Sequence, residues 1–189
     1  MTMEEQRIII SGFGGQGVLL IGKLLAGAGM DEGREVSWLP SYGPEMRGGT
    51  ANCNVILSEE LIGAPIVTEA TCLIAMNLPS LDKFEHALVP GGLLIYNRSM
   101  VPRDPERKDI VAIGIPANEI AIAQGSLKVA NVVMLGAYLA STHAVRRDTL
   151  EKVLHHALGE GKQHLFEINQ RALDAGMIHA RPVVAHAAE

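Results

Sequence analysis

Aromatic side chains are scarce in this chain, with three Phe, three Tyr and one Trp among 189 residues. A surface that binds nucleic acid by stacking bases needs more rings than that, and a net charge of −5 opposes a broad phosphate-binding face. Cysteine is equally rare. Cys53 and Cys72 are the only two, short of the four thiolates that hold an iron–sulfur cluster or a zinc ribbon, so any electron-carrying cluster must sit elsewhere. The longest strongly apolar run, Val129 to Ala140, falls well below the roughly 18–20 residues that cross a bilayer. The first seven residues are polar and acidic, without the basic start and apolar stretch of a secretory signal. The expectation is a cytoplasmic protein with reduced thiols, and neither nucleic acid nor membrane as partner.

What is present reads as alternating strands and helices. Ile8, Ile9 and Ile10 form a β-branched run ending at glycine, as in a strand buried on both faces. Apolar residues recur at helical spacing from Gly15 to about Met30, Gly33 stops that helix, and Glu35 to Leu39 is a second strand. Pro40 to Thr50, with three glycines and two prolines, is expected to be an irregular loop. Ala51 to Leu57 alternates, with Cys53, Val55 and Leu57 on one face, and is a strand suited to antiparallel pairing.

Cys72 to Met76, Leu93 to Tyr96 and Ile110 to Ile115 are further strands. A helix opens at Asn77-Leu-Pro-Ser with Ser80 as cap and Leu81, Phe84 and Leu88 inward, and Val89-Pro-Gly-Gly is a turn. Pro116 and Glu119 start another helix. Val129 to Ala140 is apolar almost all round, which places it against the sheet or another chain. Asp148-x-x-Glu151 resembles a capping box, Gly159 closes that helix, and a last helix from Gln163 to Ala175 groups Leu165, Ile168 and Ala172. The reading is a three-layer α/β fold with a mostly parallel sheet, a Rossmann-like start and a helical C-terminal part. Residues 1–180 form one domain in this reading, and 181–189 a loose tail.

The strongest chemical signal is Gly12-Phe-Gly14-Gly15-Gln16-Gly17, which fits G-x-G-x-x-G between a strand and a helix. Glycines admit an anion close to backbone amides, and the positive end of the following helix favours it; a turn needed only for packing is the competing reading. A dinucleotide fold places an acid at the end of its second strand, where this chain has Leu39-Pro40-Ser41. No Gly-Lys-Ser/Thr follows the glycines, which excludes a P-loop. Arg47, flanked by glycines in the second loop, suits a phosphate or a carboxylate, or a surface ion pair with Glu45. Asn131 is polar where burial is expected, either closing a helix end or reaching a ligand. The seven histidines lie mainly on polar faces, His155-His156 lacks the H-E-x-x-H pattern, and Cys53 reads as a buried thiol. No catalytic or metal-ligating residue is assigned.

The G-x-G-G-Q-G loop, the Tyr-Gly-Pro-Glu-Met-Arg-Gly-Gly loop, the Pro-Gly-Gly before a strand and the Asn131, Leu135, Gly136 stretch together resemble the gamma subunit of 2-oxoacid:ferredoxin oxidoreductases, over about residues 7–176. The resemblance implies a complex that oxidatively decarboxylates a 2-oxoacid to its acyl-coenzyme A and passes electrons to ferredoxin. Thiamine diphosphate is then held by alpha and beta subunits and iron–sulfur clusters by beta or delta subunits. The gamma subunit, itself without the chemical step, contributes coenzyme A binding and assembly. Gly14, Gly15, Gln16 and Gly17 match the family's glycine loop and are the implied contacts to the coenzyme A pyrophosphate, with Arg47 and Asn131 as further contacts. The Ser41–Cys53 segment leans toward 2-oxoglutarate or branched-chain 2-oxoacids. Two alternatives stand beside this: a free-standing nucleotide-binding or NAD-dependent oxidoreductase protein, and a structural subunit with no ligand.

Overall fold

The computed structural model describes residues 5–41, 50–159 and 161–180. The loop holding Arg47 and the expected tail 181–189 therefore lie outside the described residues. Six strands form one sheet: β1 (Gln6–Phe13), β2 (Glu35–Ser41), β3 (Thr50–Ser58), β4 (Ala70–Ala75), β5 (Leu88–Asn97) and β6 (Val111–Ile115). Their order is β2-β3-β1-β4-β5-β6. The β1–β4, β4–β5 and β5–β6 pairs are parallel, and β3 runs antiparallel to both of its neighbours. The first βαβ unit is thus split. β3 stands between β1 and β2, so the strand that follows the first helix is not hydrogen-bonded to β1.

Among the described residues six α-helices accompany the sheet: α1 (Val18–Asp31), α2 (Leu78–Phe84), α3 (Ala117–Ala123), α4 (Ala130–Thr142), α5 (Arg147–Leu158) and α6 (Gln163–His179). The alternation of side chains along each strand assigns them to two cores. Ile8 and Ile10, Cys53 and Val55, and Cys72 and Ile74 face α1, α4, α5 and α6. Ile9, Ile56, Leu73 and Leu94 face Leu81 of α2 and Val67. Removing each such side chain from water contributes about 1.5–3 kcal/mol, which is why the three consecutive isoleucines specify a strand covered on both sides. The layers are unequal, with most of the helical mass on one face.

α4 explains its own lack of a polar face. Every residue from Ala130 to Leu139 is buried, because α4 lies between the sheet and α6 within this chain. It needs no second chain to cover it. α6 approaches so closely that a Cβ on Gly136 would lie 2.1 Å from the Leu173 carbonyl oxygen, and one on Gly176 would lie 1.9 Å from that of Val133.

Five local expectations need correction. Leu88, expected on the inward face of α2, lies beyond that helix and begins β5. Asn77, not Ser80, caps α2, accepting from the Ser80 N–H at 2.9 Å; Ser80 sits inside the helix, its hydroxyl 3.0 Å from that of Ser11. Val89-Pro-Gly-Gly lies within β5, where the register slips: Ala70 pairs with Leu88 but Cys72 pairs with Leu93. The turn-forming residues make a bulge there, with Gly91 at φ 75° donating to Asp109 O at 2.7 Å. Asp148 lies in the first turn of α5 without forming a side-chain cap, since Arg146 occupies the capping position. Leu165 of α6 remains 46% exposed, apart from buried Ile168 and Ala172.

Candidate functional site

In an open α/β sheet, ligands bind outside the carboxyl ends of the strands where the chain winding reverses. Here that point lies between β1 and β4: α1 leaves β1 on one face, whereas α2 leaves β4 on the other. A cavity of about 440 Å³ opens there. Its polar lining is Gly15, Gln16, Asn118, Lys128 and Asn131, and its apolar lining includes Met76, Met100 and Leu127. Each group comes from the end of an element: Gln16 follows β1, Met76 follows β4, Asn118 opens α3 after β6, and Asn131 stands in the first turn of α4.

The glycine loop is held open by its own side chain. Gln16 Oε1 accepts from the Phe13 N–H at 2.6 Å and from Asn77 Nδ2 at 2.9 Å, tying the end of β1 to the turn after β4. Gly15 has φ 93° with nothing within 4 Å of an added Cβ. Gly17 has φ 72° and caps α1 with its backbone alone. Its carbonyl accepts from Leu20 N, Ile21 N and Asn131 Nδ2. Among the described residues, the N–H groups of Gly15, Gly17, Val18 and Leu19 have no backbone acceptor. Those of Gly17, Val18 and Leu19 are the unpaired donors of a helix start, and the positive end of α1 adds to their pull on an anion. Gly14 is exposed beside them.

Asn131 is 3% exposed. Its Nδ2 donates to the Gly17 carbonyl at 3.1 Å, whereas its Oδ1 is buried with no hydrogen-bond partner among the described residues. The amide nitrogen thus closes a helix start, as one of the two readings of Asn131 has it. Of the residues expected to form the site, Gly15, Gln16 and Asn131 line the cavity. Gly17 stands behind them, where a Cβ would lie 2.3 Å from Asn131 Nδ2. Arg47 lies outside the described residues.

The sequence reading missed Lys128, whose exposed side chain lines the cavity and forms no ion pair among the described residues. It also missed the buried amide of Asn97. That side chain accepts from Ser99 N and Ala117 N, both at 3.2 Å, and donates to Asn118 Oδ1 at 3.0 Å and to Met76 O at 3.4 Å. One amide thereby holds two cavity walls. The signal available was position, since polar residues directly after parallel strands face the crevice.

The remaining reactive side chains lie elsewhere. Burial pushes the Cys53 thiol up to about 12, against a smaller opposing effect of Trp38, and pushes that of Cys72 up as well, so neither is a thiolate at neutral pH. His86, His143, His155, His156, His164 and His179 are all exposed. No helix among the described residues is long and apolar enough to cross a membrane.

Fold and site together define a doubly wound α/β chain with a glycine loop and a cavity at the switch point. The sequence profile of the pyruvate ferredoxin/flavodoxin oxidoreductase family matches residues 7–178. This chain belongs to that family, and its fold is that of the gamma subunit. It is similar to the 2-oxoglutarate synthase subunit KorC of Methanocaldococcus jannaschii, with 34% identity covering 84% of this chain and 87% of that one. It is also similar to the ketoisovalerate oxidoreductase subunit VorA of Methanothermobacter thermautotrophicus, with 40% identity over 94% of this chain. The chain spans 37% of that relative's length. Among solved structures, a keto/oxoacid ferredoxin oxidoreductase gamma subunit from Geobacter sulfurreducens matches with TM-score 0.79, 29% identity, and 93% and 98% coverage of this chain and that one. A 2-oxoglutarate:ferredoxin oxidoreductase from Magnetococcus marinus, solved with 2-oxoglutarate, coenzyme A and succinyl-CoA bound, matches with TM-score 0.85 and 25% identity, covering 93% of this chain and 31% of that one.

Proposed function

We propose that this chain is the gamma-type subunit of a cytoplasmic 2-oxoacid:ferredoxin oxidoreductase, and that it holds coenzyme A for a reaction whose chemical step is carried by partner subunits. The carrying observation is the cavity at the β1–β4 switch point, lined by Gly15 with its open backbone N–H and by Asn131, whose buried Oδ1 has no partner among the described residues. That donor and acceptor set fits coenzyme A, which offers a pyrophosphate together with amide, amine and hydroxyl groups. When bound, coenzyme A supplies the thiol that takes up the acyl group.

The chain's own residues then have separable tasks. Gly14, Gly15 and Gly17 present backbone N–H groups to the pyrophosphate, while the Gln16 N–H is taken by the Phe13 carbonyl at 3.1 Å. Gln16 fixes the loop by its bonds to Phe13 and Asn77. Lys128 adds positive charge at the rim, and Arg47 is a further phosphate contact in this proposal. Met76 and Met100 provide adaptable apolar surface for an alkyl chain or a base. Thiamine diphosphate in alpha and beta subunits and iron–sulfur clusters in beta or delta subunits complete the assembly, with ferredoxin as the acceptor reached through them. The substrate class is 2-oxoglutarate or a branched-chain 2-oxoacid, a reading supported by the similarity to ketoisovalerate oxidoreductase and 2-oxoglutarate synthase subunits.

A ligand-free structural subunit, in which the loop serves packing alone, explains Gly17, whose Cβ would strike Asn131, but gives no role to the cavity beside Gly15. Affinity recovery of the tagged full-length chain from its native host at low salt tests the assignment. Thiamine diphosphate is expected in the eluate, read as thiochrome fluorescence, and its absence overturns the proposal.

A further inference from the structure

We infer that Asn131 selects the ligand of this cavity by accepting an N–H hydrogen bond through Oδ1, so that the site reads a donor beside the phosphate and not the phosphate alone. This rests on the coenzyme A reading above and adds the polarity of one contact to it. The orientation of the amide is fixed by its other end. The Gly17 carbonyl oxygen can only accept, so the atom 3.1 Å from it has to be Nδ2. A flip would set two oxygens against each other. Oδ1 is therefore left as a buried acceptor in a residue that is 3% exposed and lines the cavity.

Such an atom carries the full desolvation cost until a donor arrives. Phosphate oxygens at neutral pH are acceptors, and placing one against Oδ1 is repulsive. The loop amides and Asn131 consequently favour different parts of one ligand, an anion on Gly14–Gly17 and an N–H next to it. A coenzyme A molecule carries that chemistry in two places: the secondary amides of its pantetheine arm and the exocyclic amine of its adenine. Both alkyl chain and base suit Met76, Met100 and Leu127 in the same cavity lining. The specificity follows a general asymmetry, in which a site with a buried polar group rejects ligands that leave it unpaired.

The test compares ligands on the assembled enzyme containing wild-type or N131L chain. Sulfate serves as an anion without a donor, and 4′-phosphopantetheine and 3′,5′-ADP each carry one of the two donor sources. In the N131L enzyme, coenzyme A is expected to bind about threefold to tenfold more weakly, with the same loss in one of the two fragments, while sulfate affinity changes by less than about twofold. The fragment that shows the loss identifies the donor. Equal losses for sulfate and both fragments overturn the inference, since they mean that the loop itself has moved. The wild-type enzyme gives a second measurement independent of folding of the variant. Methylating both amide nitrogens of 4′-phosphopantetheine, or dimethylating N6 of 3′,5′-ADP, is expected to weaken one of them by the same factor, and no loss in either overturns it. If wild-type enzyme does not bind coenzyme A at all, the failure is that of the proposed function instead.

Discussion

At Gly136 and Gly176 an added Cβ would lie 2.1 and 1.9 Å from backbone oxygens across the α4–α6 seam, whereas at Gly15 it would meet nothing within 4 Å. The same residue type thus does opposite work in two regions. In the seam, glycine removes atoms so that two helices can touch, and the space is filled by protein. In the loop, glycine permits φ 93° and leaves the space open, with unpaired N–H groups around it. A glycine cluster is therefore informative about ligands only when the volume gained is not consumed by packing. Gly17 belongs to both kinds, because it adopts φ 72° and also clears room for Asn131.

Substitutions in the two regions should separate accordingly. In the seam, Gly176→Ala forces backbone apart at Val133, where no side chain can yield, and should cost about 3 kcal/mol. Its melting temperature should fall by about 6–12 °C for a chain of this size, with ligand affinity of the surviving folded fraction little changed. A melt within a degree of wild type would contradict the seam. Asn97→Ala strips two N–H groups and two acceptors of their partner, for about 2–3 kcal/mol. Because Met76 and Asn118 both line the cavity, it should also weaken coenzyme A binding, measured by calorimetry. An unaltered affinity would mean that the Asn97 amide does not shape the walls.

Gly15→Ala is expected to reverse the balance. The left-handed backbone costs any other L-residue about 1–2 kcal/mol, or about 2–8 °C in melting temperature. Coenzyme A affinity should fall by about tenfold or more, since the methyl group occupies the approach to the amides. Loss of stability without loss of affinity would support the packing role for the loop. Smallest of all is Lys128→Met. Its ammonium is exposed, so the melt should stay within about a degree, coenzyme A affinity should fall about twofold to fivefold, and the salt dependence of binding should flatten. An unchanged salt dependence would remove Lys128 from the site.

The same contrast shows why some of the architecture could be read in one dimension and some could not. Strands such as Ile8–Ile10 and helices such as α5 announce themselves because burial imposes a period of two or 3.6 on the chain. The insertion of β3 between β1 and β2 has no such local mark. It follows from long-range pairing, in which Gln6 meets Leu57 and Phe13 meets Thr50. The bulge in β5 carries turn residues and reads as a turn in the sequence, because Pro90, Gly91 and Gly92 signal backbone bending without saying whether pairing continues beyond it. The glycine loop was legible by its motif and context. Its wall was not: Asn97 and Lys128 lie roughly 80 and 110 positions further along the chain, and only strand ends meeting at one edge bring them to Gln16. Asn131 stood out as a polar residue in an apolar run, yet which of its atoms is satisfied depends on the Gly17 carbonyl.

Hydrogen–deuterium exchange of the assembled enzyme with and without coenzyme A bears most directly on the role of the loop. The account predicts slowed exchange in the peptide covering Gly12 to Ile21 when coenzyme A is bound, with the α4–α6 seam around Gly136 and Gly176 unchanged. Saturating coenzyme A that leaves exchange at Gly14 to Leu19 as fast as in its absence would contradict it.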